Sequence, residues 1–363
     1  MKPTHYADYL RLDQLLSIQL PRSCGPDEKA AHDEMLFIIV HQAHELWFKQ
    51  ILHELSDVFN IFSNQTVDEK NIGIAVSRIS RITVIQKVLI EHLRILETMT
   101  PLDFLEFRDC LIPASGFQSV QFRLLEIGLG LKRDARVQYS QNPYAISFSP
   151  EDSAALKAAE ESPSLFDLVN KWLERIPFLE LDGFNFWESY RGAVNRRFAD
   201  DRAFVDANTQ ATAEVRAKQR EEILKTEQHF EALFDEKMHQ KLIEAGACRL
   251  SFRATNAALF INLYRDQPIL HLPFRLLTLL IDMDELFQTW RSQHAHMVHR
   301  MIGTKMGTGG SSGHNYLRAT AEKYKIFSDL SNLSTFLIPR SVLPELPPEM
   351  RKKLGFYFNQ YNN

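Results

Sequence analysis

Apolar residues recur along this chain at intervals of three and four, the period of a helix buried on one face. Over residues 32–60, HDEMLFIIVHQAHELWFKQILHELSDVFN, Phe37, His41, Glu45 and Phe48 follow at those spacings, and Leu36, Val40, Ala43, Trp47 and Ile51 widen the stripe. Residues 71–97 predict a second long helix, with Ile72, Val76, Ile79, Val84 and Leu89 set among charges. Thr100-Pro101-Leu102-Asp103 reads as a helix start, threonine as N-cap and proline in the first turn, with an end near Ile112-Pro113. Further helices are predicted over 117–132, 164–175, 253–264 and 274–303, and one short helix within the loop-like stretch 133–165. Residues 208–242 are densely charged and predict a solvated helix pair or an excursion from the main body. No alternating run of β-branched residues and no fixed-period repeat interrupts this series. The pattern therefore predicts an all-α fold. It reads as one large helical domain over residues 1–340, with a charged helical insertion at about 208–242 and a Pro-punctuated tail at 341–363.

Composition narrows the function classes. The chain has 363 residues, 45% of them hydrophobic and 24% charged, with a formal net charge of −4. Disordered and disulfide-stapled classes are excluded on that balance, and a pI near 6.4 lacks the basic footprint of a nucleic-acid binder. The three cysteines, Cys24, Cys110 and Cys248, are odd in number and far apart, which favours a reducing compartment. No secretory leader and no run long enough to span a membrane is evident, so a cytoplasmic location is expected. Phenylalanine is abundant at 25 and glycine scarce at 14. Five of those glycines gather in GTKMGTGGSSG at 303–313. This stretch lacks the order of a P-loop and the preceding strand of a dinucleotide site, and reads instead as a mobile lid carrying hydroxyls at Thr308, Ser311 and Ser312.

Candidate chemistry centres on histidine and arginine. His41 lies in an apolar run, FIIVHQ, where an imidazole is either a hydrogen-bonded core residue or a functional one. His294 lies in TWRSQHAHMVHRMIG, with no HExxH and no tight His/Cys/Asp cluster around it. One Glu-x-x-His pair, Glu236 with His239, is too little for a di-iron bundle. A lone histidine on an apolar helix can, however, ligate haem iron, and the many phenylalanines could wall such a cofactor. Arg108, one turn from Phe104 in TPLDFLEFRDCL, calls for an anion, either a structural carboxylate or that of a substrate. Arg123 has an easy partner in Glu126 and reads as structural.

Long segments then converge on one family. YADYLRLDQLL at 6–16, HDEMLFIIVHQAHELWFKQILHEL at 32–55 and LETMTPLDFLEFRDCLIPASGFQSVQFRLLE at 96–126 resemble the tryptophan 2,3-dioxygenases, and the longer, animal-type members in particular. FLELDGFNFW at 178–187, residues 234–268, residues 272–320 and YKIFSDLSNLSTFLIPR at 324–340 continue the resemblance in order along nearly the whole chain. Two positions depart from the pattern: His44, where tyrosine or serine is usual, and Val120 in place of leucine.

The resemblance implies a haem-dependent dioxygenase. It would cleave the indole C2–C3 bond of L-tryptophan with O₂ to give N-formyl-L-kynurenine, the first step of tryptophan degradation. One haem b per subunit, ferrous in the active state, would be held by His294. His41 would lie over the haem and accept a hydrogen bond from the indole N–H, orienting the ring. Arg108 would pair with the substrate carboxylate, Phe37 and Phe104 would wall the indole, and Thr308 would meet the ammonium and carboxylate. Tyr6, Tyr9 and Leu10 would reach a neighbouring subunit's site in a homotetramer. The competing expectations are a haem oxygenase acting on a substituted tryptophan or another indole amino acid, and a helical interaction scaffold whose histidines are only structural.

Overall fold

A computed structural model describes residues 3–23, 30–133, 148–176, 180–181, 184–305 and 314–355. Among the described residues the fold is all-α apart from one antiparallel pair of two-residue strands, β1 (Glu180–Leu181) and β2 (Phe184–Asn185). Two short helices, α1 (Tyr6–Leu10) and α2 (Leu12–Leu15), open the chain, and neither has a buried residue. Two long ones follow, α3 (His32–Phe62) and α4 (Glu69–Leu96). On α4 the positions 72, 75, 79, 82, 86, 89, 93 and 96 are all buried, an alternation of three and four along one face. Val84 falls off that face and is 57% exposed, so its place in the predicted stripe is corrected by one side of the helix. Gln86 is the one polar member, and its Nε2 donates to the Met283 carbonyl at 2.9 Å, which offsets part of the cost of burying the amide.

The described chain clusters into two compact units, each built from stretches distant in sequence. The first comprises Met1–Asp57, Arg78–Ser164 and Asp282–Ile326. Within it α5 (Pro101–Arg108) starts as the sequence requires: Thr100 and Asp103 form a reciprocal capping box with Pro101 in the first turn. A single 3₁₀ turn over Asp109–Leu111 carries the chain on to the expected stop at Ile112-Pro113. The next helix begins later than its apolar pattern suggests. Residues Gly116–Gln118 form a separate 3₁₀ turn, and Ser119 caps α6 (Val120–Leu129) by accepting from the Phe122 amide at 3.2 Å. Gly130, at φ 122°, ends it. Then comes α7 (Pro150–Glu161), which packs on α6.

The second unit comprises Val58–Ser77, Leu165–Ile281 and Phe327–Asn363. Six of the ten residues of α8 (Leu165–Glu174) are buried, which makes it a core helix. The next helix, α9 (Phe186–Ala207), lies in charged sequence that no periodic reading picked out. Its buried Phe186, Tyr190, Val194 and Phe198 recur every four residues, and dense arginine and aspartate between them hide the stripe. The charged stretch beyond it folds as α10 (Ala213–Glu231) and α11 (Glu236–Glu244), and α10 packs along α9. Arg191–Glu231 and Arg220–Asp206 pair across them at 2.6 Å, and Arg202 also pairs with Glu227. Exposed pairs of this kind contribute about 0–1 kcal/mol each, so the edge-to-face contact of Phe198 with Phe230 carries more of the packing. Next, α12 (Phe252–Leu263) offers small buried Ala254, Ala257 and Ala258, and it packs on α8.

The long α13 (His271–Ile302) is followed by α14 (His314–Lys323), α15 (Ser328–Asn332) and α16 (Pro348–Leu354). In the first unit, Asp284 on α13 accepts from the Ile326 amide at about 3 Å and so ties the chain after α14 back to α13. The expected tail is folded in part: Met350 and Leu354 of α16 are buried. Among the described residues, no helix is long and apolar enough to cross a membrane.

Candidate active site

The first unit contains a cavity of about 270 Å³, walled by α3, the end of α4, α5, α6, α13 and α14 and by neighbouring turns. Five of the singled-out residues line it together: Phe37, His41, Phe104, Arg108 and His294. Phe37 and His41 arrive there because α3 presents them one turn apart, on the stripe that the sequence displays. The His41 ring lies 4.1 Å from that of Phe37 and donates Nδ1–H to the Phe37 carbonyl at 2.7 Å. That bond settles the tautomer, leaving Nε2 with its lone pair as an acceptor. The ring is open to the cavity, but the protein around it removes water at longer range. This desolvation lowers its pKa, against the opposing pull of the Phe37 carbonyl and Glu45. His41 is therefore a neutral acceptor at physiological pH. Phe37, Phe104 and Phe107 form an aromatic corner beside it, with centroids 5.4–5.8 Å apart.

His294 lies in the α13 wall. Desolvation, with added repulsion from His41 and His44, pushes its pKa down to about 4. It makes no hydrogen bond among the described residues and stacks on Trp290 at 5.1 Å and 10°. A neutral imidazole whose nitrogens are not committed elsewhere is the form that coordinates a metal. Arg108 closes α5, with its side chain 17% exposed, and meets Asp109 at 3.4 Å. Asp109 is 82% exposed, so this pair is a weak one.

A second basic feature was only half legible. Arg123 does pair with Glu126, at 2.7 Å, but Arg291 meets the same carboxylate at 2.7 Å from α13. Two buried guanidiniums thus share the Glu126 carboxylate in the cavity wall. Arg291 sits between the Phe122 and Tyr324 rings, and its Nη1 is buried with no hydrogen-bond partner among the described residues. Trp290, Ser115 and Tyr316 also line the cavity and were not singled out. Nothing in one helix's periodicity marks them, because they meet the cavity only through packing between helices.

His44 is placed as well. It is 7% exposed, lines the same cavity, and has a pKa pushed down to about 4, first by desolvation. In the unfolded chain it takes up a proton near pH 6.5; the folded chain refuses it until about 4. Stability of the ligand-free protein should therefore fall as pH drops through that window, by about 3 kcal/mol for this residue, and level off below it. Urea unfolding at pH 7 and pH 4.5 measures the effect. His44→Phe should remove this share of the acid sensitivity, and an unchanged pH dependence would contradict the assignment.

The remaining site expectations lie elsewhere. Thr308 falls outside the described residues. Tyr6, Tyr9 and Leu10 lie on α1 and do not line this chain's cavity; the two tyrosines are 74% and 77% exposed. Other chemistries find little footing. No group of three or more His, Cys, Asp or Glu residues among the described residues could hold a metal ion. Cys248 lies near His239 and Asp329, but burial and the Asp329 carboxylate push its thiol up to about 12. His239 donates Nε2–H to the Leu250 carbonyl at 2.9 Å and is not a base toward that thiol.

Comparison with known proteins gives one consistent result. The family model described as tryptophan 2,3-dioxygenase matches residues 1–337. A protein named tryptophan 2,3-dioxygenase from Bdellovibrio bacteriovorus is 51% identical over 356 residues, covering 98% of this chain and 99% of its own length. One of the same name from Dictyostelium discoideum is 47% identical, over 98% of this chain and 89% of its own. Tryptophan 2,3-dioxygenase B of Danio rerio is 48% identical, over 96% and 85%.

Proposed function

The chain belongs to the tryptophan 2,3-dioxygenase family, and from that premise we propose that it oxidises L-tryptophan with O₂ to N-formyl-L-kynurenine, using haem b. The observation that carries the reading is the meeting, in one cavity, of a neutral unbonded imidazole, a second imidazole with a free acceptor, an arginine and an aromatic corner.

The residues present fit a haem. His294 would hold the iron through its neutral nitrogen. Phe48, Phe122, Met297 and Met301 supply apolar walls for a porphyrin. The Nη1 of Arg291, buried without a hydrogen-bond partner among the described residues, fits one of the carboxylates on the porphyrin edge. When bound in the ferrous state, haem supplies the O₂ activation by which both oxygen atoms enter across the indole C2–C3 bond.

The protein's own part is binding, orientation and exclusion of water. Phe37 and Phe104 offer the indole an apolar corner. Arg108 meets the carboxylate, a charge-assisted contact that selects an amino acid over a bare indole. The free Nε2 of His41 accepts the indole N–H and sets which edge of the ring faces the reacting centre. Thr308 belongs to the same proposal as the partner of the ammonium and carboxylate. So do the cytoplasmic location and a homotetramer in which the exposed Tyr6, Tyr9 and Leu10 complete a neighbouring site.

In the holoenzyme, His41→Ala should keep its haem while kcat/KM falls roughly 100-fold, the cost of a substrate misplaced by about an ångström. Identical kinetics would remove His41 from the site. The function as a whole is tested by a Soret band in the purified protein and by uptake of one O₂ per tryptophan at an oxygen electrode. A colourless protein, or no tryptophan-dependent uptake, would contradict it.

A further inference from the structure

We propose that His44 is a positioning residue for His294, acting through the indole of Trp290. The proposal rests on the reading of His294 as the haem ligand. It begins with a backbone bond: His44 Nδ1–H donates to the Val40 carbonyl, one turn back on α3, at 2.9 Å. The Leu89 carbonyl also meets this ring, but Val40 is the stronger backbone partner, and with Nδ1–H given to it Nε2 is left to accept. Trp290 Nε1–H donates to this nitrogen at 3.4 Å, across from α13. The face of the same indole lies nearly parallel to the His294 ring, 5.1 Å away and one turn along α13.

Ring contacts alone do not give Trp290 one orientation. Phe48 meets it edge-on at 6.3 Å and Phe122 at 5.1 Å and 40°. Both are apolar contacts, and the tryptophan χ2 torsion is broad. The hydrogen bond to His44 is directional and selects the orientation that puts the N–H edge toward α3. An indole held in that plane restricts rotation of the His294 ring about its Cβ–Cγ bond. A ligand ring's rotation governs how well its nitrogen meets the metal, and supporting groups one step behind a ligand typically change metal affinity about 10–100-fold.

The holoenzyme tests this with His44→Phe, which keeps an aromatic ring and removes the acceptor, and His44→Gln, which restores an acceptor near Nε2. Three readouts separate positioning from simple packing: the ¹⁵N-indole resonance of Trp290, assigned with Trp290→Phe; the iron–histidine stretching band by resonance Raman; and the rate of haem transfer to excess apomyoglobin. We expect His44→Phe to shift the indole resonance, broaden or move the iron–histidine band and speed haem loss at least about tenfold. His44→Gln should restore most of each. Trp290→Phe, which keeps a ring against His294 but has no N–H, should reproduce the changes in band and haem loss. Wild-type bands and haem-loss rates in His44→Phe, or in Trp290→Phe should the former fail to fold, would overturn the proposal. Loss of the iron–histidine band in His294→Ala, together with a silent His44→Phe, would overturn positioning alone; a band that persists in His294→Ala would overturn the ligand reading beneath it.

Discussion

Replacing His294 with alanine is expected to yield a folded protein that retains no haem through purification. The imidazole is neutral at physiological pH because burial has pushed its pKa down to about 4, so no proton has to leave before it coordinates. Among the described residues, no other histidine of α13 lines the cavity. His44 is committed to Val40 and Trp290, and Trp290 has only a donor. Loss of a group one step behind a ligand costs about 10–100-fold in affinity, so loss of the ligand itself should exceed about 100-fold. The fold should survive, since His294 makes no hydrogen bond to the described residues and alanine is the best helix former. Haem per chain by pyridine haemochrome, read beside far-ultraviolet circular dichroism, measures both halves of the expectation. Full occupancy with native helicity would remove His294 as the ligand.

The second large effect is expected at Arg108. Truncating one partner of a buried, hydrogen-bonded charge pair costs about 2–5 kcal/mol. At 1.4 kcal/mol per factor of ten, that is roughly 30–4,000-fold in the KM for tryptophan on Arg108→Leu. Haem content should not change, and residual turnover of indole derivatives lacking the carboxylate should be nearly unaffected. This pattern separates a substrate clamp from a structural role. Its neighbour Asp109, at 3.4 Å and 82% exposed, is too weak a partner for the loss of that pair to unfold α5. An unchanged KM would assign Arg108 to scaffolding.

Local signals in the chain were legible because they are local in space. Thr100, Pro101 and Asp103 cap α5 through groups within three residues of one another, and Phe37 and His41 share a face through the helix repeat alone. The boundary of α6 moved by three residues because Gly116–Gln118 satisfies its own backbone in a 3₁₀ turn and Ser119 then supplies a better cap. Helix α9 escaped because arginines and aspartates crowd the positions between its buried aromatic residues. The parts of the site that periodicity missed are those made by tertiary meetings. Arg291 reaches Glu126 across 165 residues, and Trp290 reaches His44 across 246. Neither partner carries a mark of the other in its own helix. The family resemblance singled out His294 and Arg108, while the shared Glu126 carboxylate and the Trp290–His44 contact emerged only from packed side chains.

The central claim is that this cavity directs both atoms of one O₂ into one tryptophan. The most direct measurement reduces the haem protein anaerobically, adds L-tryptophan and ¹⁸O₂, and reads the product by mass spectrometry. We predict N-formylkynurenine in which both added oxygens are ¹⁸O. A product carrying one labelled oxygen, or tryptophan recovered unchanged, would contradict the account.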